Sequence, residues 1–286
     1  STKSSDRKIL LNDLKNGSIN LLIGTHAIFE QNVIFNNLGY AVIDEQHRFG
    51  VKQRSKIWEK NNPPPHVLIM TATPIPRTLT MSLYGDLDLS IIDELPPGRK
   101  DVITVHRKDK NRLKVFGFIR DQIKQGRQIY IVYPLIEESK KMDLKYLEDG
   151  LESITREFDK ENYSIGVMHG RMRSSNKDIE MNNFLNGKID ILISTTVIEV
   201  GVNVPNASVM IIENAERFGL SQLHQLRGRV GRGKYDSYCV LMTNDKISED
   251  AKIRIDAMVN SNDGFKISEV DFCLLYTSPS PRDFQV

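Results

Sequence analysis

Short, almost continuous apolar runs recur along this chain and alternate with segments of helical periodicity. Apolar runs flanked by turn residues predict strands at 19–25, 40–45, 66–73, 128–134, 163–170, 189–195, 208–214 and 237–243. Apolar residues at helical spacing predict crossover helices at 7–16, 111–125, 144–159 and 174–186. Strands this apolar are buried on both faces, as in parallel sheets that helices cover on both sides. The sequence therefore predicts an α/β fold built on parallel sheets.

The segment ELPPGRKDV at 94–102 interrupts this alternation. Its prolines and its glycine stop regular elements, and the strand–helix pattern restarts after it, which is typical of a linker. Beyond the last predicted strand, helical spacing continues as far as a predicted turn at DGF (263–265), and after residue 272 the patterning is lost. The predicted segments are a first domain at 1–95 that is truncated at its amino end, a linker at 96–100, a second domain at 101–245, a helical segment at 246–272 and an anomalous, non-native tail at 273–286.

The composition excludes several classes of protein. The chain is 40% hydrophobic and 27% charged, which suits a globular protein with proper cores. The net charge of +2 provides no overall field that would hold the chain on nucleic acid, so such contacts need local clusters. Cys239 and Cys273 suggest neither a disulfide framework nor a metal site, and no apolar run approaches the roughly 20 residues of a membrane span. We therefore expect a cytoplasmic protein with no membrane partner.

Two adjacent carboxylates, Asp44 and Glu45, end the apolar strand in VIDEQHRFG (42–50). A buried strand with acidic groups at its carboxyl end is typical of a nucleoside-triphosphate site, where these groups hold hydrated Mg²⁺ and orient the attacking water. In this interpretation Asp44 serves the metal, Glu45 the water, and His47 reports the state of the phosphates. The alternative is solvated surface charge, because isolated acidic pairs are common at helix starts.

The sequence contains no phosphate-binding loop of the form G-x-x-x-x-G-K-[ST]. The nearest candidates, at 98–100, 187–189 and 233–235, lack a hydroxyl residue after the lysine. We therefore interpret the chain as an internal piece of a longer motor, and we expect it to be inactive by itself.

Hydroxyl and basic residues follow several predicted strands, at places where a loop can approach a phosphodiester backbone. Each stretch can also be an ordinary strand end or helix start, and none is decisive alone. The candidates for nucleic-acid contact are Thr25, His26, Thr71 and Thr73 in the first domain, and His169, Gly170, Arg171, Thr195 and Thr196 in the second. Gly201 and Asn203, further along STTVIEVGVNVP, are candidates for nucleotide contact.

The stretch QLRGRVGR (225–232) concentrates the guanidinium groups of Arg227, Arg229 and Arg232 around two glycines. Planar guanidinium groups suit phosphoryl oxygens and can stabilise the charge that develops as a γ-phosphate leaves. A solvated basic loop that touches nucleic acid non-specifically is the alternative, and residue spacing alone does not decide between the two.

As an ordered set, these motifs resemble those of superfamily 2 helicases, and their residues are most similar to those of the RecG family. The stretches that carry the resemblance are IDEQHRFGVKQR (43–54), TATPIPRTL (71–79), VYPLIEES (132–139), TTVIEVGVNVPNA (195–207) and ERFGLSQLHQLRGRVGRG (216–233). The resemblance extends over residues 7–272 and implies two RecA-like lobes with ATP and Mg²⁺ in the cleft between them. It further implies an ATP-dependent DNA helicase, a monomeric motor that remodels branched DNA and stalled replication forks in recombination and repair.

The resemblance also implies residue roles. Asp44 and Glu45 take the magnesium and water-activating roles, and Arg229 and Arg232 act as arginine fingers, with Gln225 as a further catalytic residue beside them. Residues 246–272 correspond to the start of a helical segment that couples ATP turnover to translocation.

The chain departs from the family pattern in three places. The first ATP-binding motif and the amino-terminal wedge domain are missing, and Asn203 stands where the family commonly has aspartate. Two alternatives therefore stay open. The first is a transcription-repair coupling translocase, which shares the motif sequences TATPIPRT and QLRGRVGR. The second is a non-catalytic DNA-binding module, which would fit the missing phosphate loop. Such a module, however, has no need for both the acidic pair and the arginine pair.

Overall fold

A computed structural model describes most of the chain. The described residues are 3–45, 56–71, 88–92, 94, 96, 98–134, 150–158, 162–195 and 203–277, with side chains as far as Leu274. The chain divides into two compact units, Ser1–Thr73 and Pro74–Val286. The linker predicted at 96–100 lies within the second unit, and the predicted domain boundaries remain predictions.

The first unit contains a short parallel sheet. Strand β1 (Tyr40–Ile43) pairs in register with strand β2 (His66–Ile69). Helix α1 (Ser4–Asn16) precedes them and ends at Gly17, whose φ of 78° lets its N–H reach back to the last turn. A 3-10 turn at His26–Phe29 follows, and a small core of buried apolar side chains comprises Phe29, Ile43 and Ile57.

The strand predicted at 19–25 is wrong, because the structure has irregular backbone there. Leu21 is 76% exposed and Ile23 is 86% exposed, so this apolar run has no covered face to pack against. A cavity of about 650 Å³ is lined both by residues 19–24 and by residues 39–42. This open space separates the run from β1, and without a neighbouring strand its backbone cannot form a ladder.

The second unit is built on a six-stranded sheet in which every pairing is parallel. The strand order is β3-β8-β7-β4-β6-β5. The strands are β3 (Val102–Lys108), β4 (Gln128–Tyr133), β5 (Ile165–Met168), β6 (Ile191–Thr195), β7 (Ala207–Ile212) and β8 (Ser237–Thr243). The α/β class with a parallel sheet, predicted from the apolar runs, is therefore confirmed.

Strand β3 escaped the sequence prediction. Among the described residues it lies at an edge of the sheet and pairs with β8 alone, and it leaves Ile103 48% exposed between the buried Val102 and Thr104. An edge strand with one solvent-exposed face contains fewer apolar residues in a row than a central strand, whose side chains are buried on both faces.

Both faces of the sheet are buried, as the continuous apolar runs required. Along β4, Ile129 and Ile131 belong to one core cluster, whereas Tyr130 and Val132 belong to the other. Helix α2 (Arg112–Lys124) and the helical segment 150–157 supply the cluster that contains Ile129. Helices α3 (Ser174–Leu185), α4 (Leu220–Arg227), α5 (Glu249–Asn260) and α6 (Gly264–Thr277) supply the other.

The carboxyl-terminal helices differ from the prediction in two details. Residues 263–265, predicted as a turn, begin helix α6, because the Asp263 carboxylate accepts a hydrogen bond from the Phe265 N–H at 2.8 Å. The helix then continues through Thr277, so the first residues of the predicted tail at 273–286 are helical. None of the helices that the structure describes combines the length and apolar character needed to cross a bilayer.

Candidate functional site

The acidic pair lies where the sequence analysis expected it, directly after β1. Glu45 has a φ of 50°, an uncommon conformation for a residue with a side chain. Asp44 holds this turn, since its Oδ1 accepts a hydrogen bond from the Glu45 N–H at 2.9 Å. Backbone held in a sparsely populated region is concentrated at functional sites, where it aims particular side chains. Asp44 is exposed and Glu45 is half-buried.

Thr71 lies beside the acidic pair. The Met70 N–H donates to the carbonyl of Ile43 at 2.8 Å, which extends the β1–β2 ladder by one step. Residues that follow parallel neighbours in this way emerge at the same edge of the sheet. The structure therefore brings Asp44, Glu45 and Thr71 together at the carboxyl edge of the first unit.

The donor chemistry of this edge fits a magnesium ion. Carboxylate oxygens are hard ligands that suit Mg²⁺, which usually keeps several waters and takes one or two protein carboxylates. Asp44 is exposed and uses one oxygen, Oδ1, in its turn. Within the described ranges, no cluster of three or more His, Cys, Asp or Glu side chains could enclose a metal ion. A carboxylate pair with water ligands, and not a closed protein cage, is what this edge offers.

The two other nucleic-acid candidates in the first unit are at the surface. Thr25 and His26 are exposed and begin the 3-10 turn at His26–Phe29. The carbonyl of Thr25 accepts a hydrogen bond from the Ile28 N–H at 3.1 Å, which leaves the Thr25 side chain outside the turn. Their role in contacting nucleic acid remains a prediction.

In the second unit, four of the predicted residues share the carboxyl edge of the sheet. His169, Gly170 and Arg171 follow β5, and Thr195 ends the neighbouring strand β6. The register pairs Met168 with Ser194, so His169 and Thr195 emerge side by side. This proximity was not evident from residues that lie more than twenty positions apart in the sequence.

Two buried polar atoms at this edge lack hydrogen-bond partners among the described residues. Thr195 is only 3% exposed, and its Oγ1, like Nδ1 of His169, is buried without a hydrogen-bond partner among the described residues. Burial, followed by the positive charges of Lys177 and Arg171, lowers the pKa of His169. A neutral imidazole, a free hydroxyl and nearby cations form a suitable surface for the oxygens of a phosphate.

The arginine motif lies at the opposite, amino edge of the same sheet. Helix α4 ends at Arg227, and residues 228–236 lead into the start of β8. Asn203 belongs to this edge as well, because it shortly precedes β7 and a Cβ at Gly233 would clash with the carbonyl oxygen of Pro205. Thr195 and Asn203 therefore lie at opposite edges of the sheet.

Two of the arginines form a local positive cluster. Burial raises the pKa of Tyr130 to about 12, and the charges of Arg229 and Arg232 act in the opposite direction. Burial, then the charge of Arg229 and then that of Arg99, lowers the pKa of Arg232. Arg232 is exposed, and its Nε donates to the carbonyl of Gly228 at 3.1 Å, which orients the guanidinium. Guanidiniums whose charges interact in this way can act together on one anion.

Arg227 behaves differently from its two neighbours. It is only 3% exposed, and its Nη1 donates to the carbonyls of Met258 at 3.0 Å and Ser261 at 2.7 Å. Its Nη2 lies 3.1 Å from Nδ1 of His224, and because a guanidinium only donates, this nitrogen must accept. Arg227 therefore fastens helix α4 to the end of α5, and it is not free to bind a phosphate. Nothing in the residue pattern of the motif marks this difference.

A buried ion pair, also missed by the sequence analysis, lies at the carboxyl ends of β4 and β7. Arg112 donates to both carboxylate oxygens of Glu213, at 2.7 and 2.8 Å, and to Asp109 at 2.5 Å. Burial acts to lower the pKa of Arg112, but the hydrogen bond and charge of Glu213, and then those of Asp109, raise it overall. Glu213 is only 3% exposed, so its carboxylate depends on this pairing.

The remaining site predictions are not decided by the geometry. Gln225 is half-buried on α4, two residues before Arg227. His47, Thr73, Thr196 and Gly201 lie outside the described residues.

Comparison with known proteins agrees with this arrangement. Residues 1–82 match the DEAD/DEAH box helicase family, and residues 110–234 match the helicase conserved C-terminal domain. The ATP-dependent DNA helicase RecG of Synechocystis is 53% identical over 96% of the chain, and that of Bacillus subtilis is 49% identical over 99%. The chain belongs to the RecG helicase family. It spans 33% and 41% of the length of these two relatives.

Solved structures confirm the fold. A RecG structure bound to a three-way DNA junction superposes with a TM-score of 0.72 at 43% identity, over 98% of this chain and 35% of that one. The Mycobacterium smegmatis helicase Lhr, bound to single-stranded DNA and AMP-PNP, gives a TM-score of 0.60 at 16% identity over 92% of this chain, which supports the fold alone. The RecA-like helicase fold expected from the motifs is therefore confirmed.

Proposed function

We propose that this chain carries the motor elements of an ATP-dependent DNA helicase of the RecG type, which remodels branched DNA and stalled forks in recombination and repair. The observation that supports this most strongly is the set of residues at three sheet edges, combined with RecG relatives about 50% identical over nearly the whole chain. One edge presents two carboxylates, a second presents a hydroxyl and cations, and a third presents two exposed or half-buried guanidiniums. A phosphoryl-transfer motor that moves along DNA needs all three sets of groups: carboxylates for the metal and water, polar and cationic groups for the DNA backbone, and guanidiniums for the phosphates.

ATP is the nucleotide we propose, with Mg²⁺ as its counter-ion. Bound Mg²⁺ would neutralise charge on the β- and γ-phosphates. Asp44 is placed to hold a water ligand of that ion, and Glu45, fixed by its unusual backbone conformation, to orient the attacking water. Arg229 and Arg232 are proposed to bind the phosphate oxygens, with Gln225 on helix α4 as a further catalytic residue and Asn203 as a further nucleotide contact. His47 and Gly201 remain candidates for sensing and binding the nucleotide.

DNA is the proposed track. His169, Gly170, Arg171 and Thr195 share one edge, and contacts made by such groups to phosphate and sugar position a protein without reading sequence. Thr25, His26, Thr71, Thr73 and Thr196 are proposed to contribute further backbone contacts. Branched DNA as the substrate rests on the junction-bound RecG structure and on the RecG relatives. We propose further that the motor acts as a monomer in the cytoplasm.

Arg227 suggests how nucleotide chemistry is coupled to movement. It ties the helix that leads to Arg229 and Arg232 directly to the carbonyls at the end of helix α5. Displacement of the arginine loop during ATP turnover would therefore be passed to the carboxyl-terminal helices, which correspond to the segment predicted to couple turnover to translocation.

The experiment is a chimera in which this chain replaces the matching segment of Bacillus subtilis RecG, which it matches over 99% of its length. We expect DNA-stimulated ATPase activity from the chimera and a drop of about 10³-fold in kcat for its Arg232→Ala variant, since arginine fingers contribute 10³–10⁵ in rate. The matched control is Arg156→Ala, which removes an exposed arginine far from the motif. A chimera that folds, binds forked DNA and shows no stimulated ATPase activity would refute the proposal.

The chain by itself should hydrolyse ATP at a negligible rate. Its 286 residues contain no phosphate-binding loop, so they lack the backbone cradle that such a loop provides for the β- and γ-phosphates. Robust turnover by purified chain would show that the nucleotide is held in a way that the proposal does not include.

A further inference from the structure

Residues 98–102, which lead into β3, pack against residues 228–236, the loop that carries Arg229 and Arg232. Gly231, with a φ of 77°, lies so close to residues 98–102 that an added Cβ would be 2.8 Å from Cγ2 of Val102 and 3.7 Å from the carbonyl oxygen of Lys100. Nζ of Lys100 also pairs with Oδ1 of Asp236 at 2.7 Å. The β3–β8 ladder begins immediately afterwards, with Val102 opposite Ser237. Residues 98–102 are therefore held against the loop that carries Arg232.

Arg99 belongs to this fastened segment. Its N–H donates to the carbonyl of Pro96 at 3.1 Å, which closes a turn around Gly98, whose φ is 81°. The side chain is half-buried. Its neighbour Lys100 has a carboxylate partner, but no carboxylate among the described residues pairs with the guanidinium of Arg99.

Arg99 therefore lies on a segment that packs against the loop of Arg232, and the charges of three guanidiniums interact here. The charges of Arg229 and Arg99 both act on Arg232 and, after burial, lower its pKa. Like charges that are held together by the fold repel one another, and an anion that binds between them removes this repulsion. A group with several acidic oxygens is the ligand that such a cluster fits best.

We propose that Arg99 binds a phosphate group of the nucleotide as a third guanidinium beside Arg229 and Arg232. This inference rests on the proposed function, which assigns the other two arginines to the same nucleotide. It adds a phosphate ligand from the segment that enters the second unit's sheet, a region the motifs do not mark. The turn at Pro96 and the Lys100–Asp236 ion pair fix the backbone on either side of Arg99, so little ordering is needed when the phosphate binds.

The first test uses the chain itself and inorganic tripolyphosphate as the probe, titrated calorimetrically at low ionic strength. Arg99→Gln should weaken binding about 10-fold or more, as expected for the loss of a charge-assisted hydrogen bond. The affinity of Arg99→Lys for tripolyphosphate should lie between those of Arg99→Gln and the wild type, because lysine keeps the positive charge but lacks the planar, forked donors of a guanidinium. Arg156→Gln is the matched control and should stay within about 2-fold of the wild type, because Arg156 forms an exposed pair with Glu152 and has no part in the proposed site. Equal affinity of Arg99→Gln and wild type would overturn the inference.

The second test uses the Bacillus subtilis RecG chimera. Arg99→Gln should lower kcat for DNA-stimulated ATP hydrolysis about 10- to 100-fold while the Kd for forked DNA is unchanged. A loss of DNA affinity without a change in kcat would assign Arg99 to the DNA backbone and overturn the inference. A wild-type chimera without stimulated ATPase activity would refute the proposed function, and the tripolyphosphate titration would then decide the role of Arg99 alone.

Discussion

Arg227 donates a hydrogen bond from Nη1 to the carbonyl of Ser261 at 2.7 Å, and this bond joins helix α4 to the segment between helices α5 and α6. The same nitrogen donates to Met258 at 3.0 Å, so one buried guanidinium satisfies two carbonyls at the end of α5. Carbonyls at a helix end need such partners when they are buried. Arg227 is therefore a structural residue within a motif whose other arginines are candidates for catalysis.

Replacement of Arg227 by methionine should destabilise the second unit by about 2–4 kcal/mol, because it leaves buried carbonyls and Nδ1 of His224 without donors. The free energy of unfolding, from guanidinium chloride denaturation followed by circular dichroism, checks this. Arg156→Met is the control, since Arg156 forms only an exposed pair with Glu152 and should change stability by less than about 0.5 kcal/mol. Similar effects of the two substitutions would contradict the structural role.

Gly228 in the arginine motif and Gly233 directly after it should respond differently to alanine. A Cβ at Gly233 would clash with the carbonyl oxygen of Pro205, a backbone atom that cannot rotate away, whereas a Cβ at Gly228 would lie 3.4 Å or more from its neighbours. Gly233→Ala should cost about 1–3 kcal/mol and shift amide resonances of the loop, and Gly228→Ala should be close to neutral. Thermal unfolding of both variants makes the comparison. A neutral Gly233→Ala variant would show that the loop can move away from Pro205.

Stability should depend on pH through His224. Burial, assisted by the charge of Arg227 and opposed by that of Asp263, lowers the pKa of His224 to about 4. An unfolded histidine titrates near pH 6.5, so the unfolded chain binds more protons between pH 6.5 and 4. The stabilising contribution is therefore complete above pH 6.5 and is lost as the pH falls towards 4, by about 2–3 kcal/mol.

His224→Asn tests this pH dependence, because an amide oxygen can still accept from Arg227 but does not titrate. The difference in unfolding free energy between wild type and variant should shrink from pH 7 to pH 4.5, when both are measured in urea at fixed ionic strength. A difference that stays constant over this range would assign the acid sensitivity to other groups.

The Arg112–Glu213 pair should be sensitive to the loss of either partner. Arg112→Met would leave a carboxylate that is 3% exposed without its cation and should cost about 3 kcal/mol at pH 7. The double variant Arg112→Met, Glu213→Leu should recover much of this loss, because no uncompensated buried charge remains. Urea denaturation of the two single variants and the double variant measures the coupling. Strictly additive effects would show that the pair is not coupled.

The sequence predicted the central strands well, and the reason is physical. Strands β4, β6, β7 and β8 are covered on both faces, so nearly all of their residues must be apolar, and this leaves a continuous run in the sequence. Strand β3 has only one neighbour and one covered face, and its signal was too weak to detect. The run at 19–25 has the composition of a strand, but the described residues include no strand that pairs with it, and composition cannot supply one.

For the candidate site, the sequence by itself determined which chemical groups are present: the acidic pair after β1, the hydroxyl and basic residues after β5 and β6, and the arginines before β8. Only the tertiary structure decided how these groups are used. It buried Arg227 against the end of α5, left Arg232 exposed and brought Arg99 to the same cluster. An arginine's side chain is identical in each of these places, so its role follows from the carbonyls, carboxylates and charges that the fold puts around it.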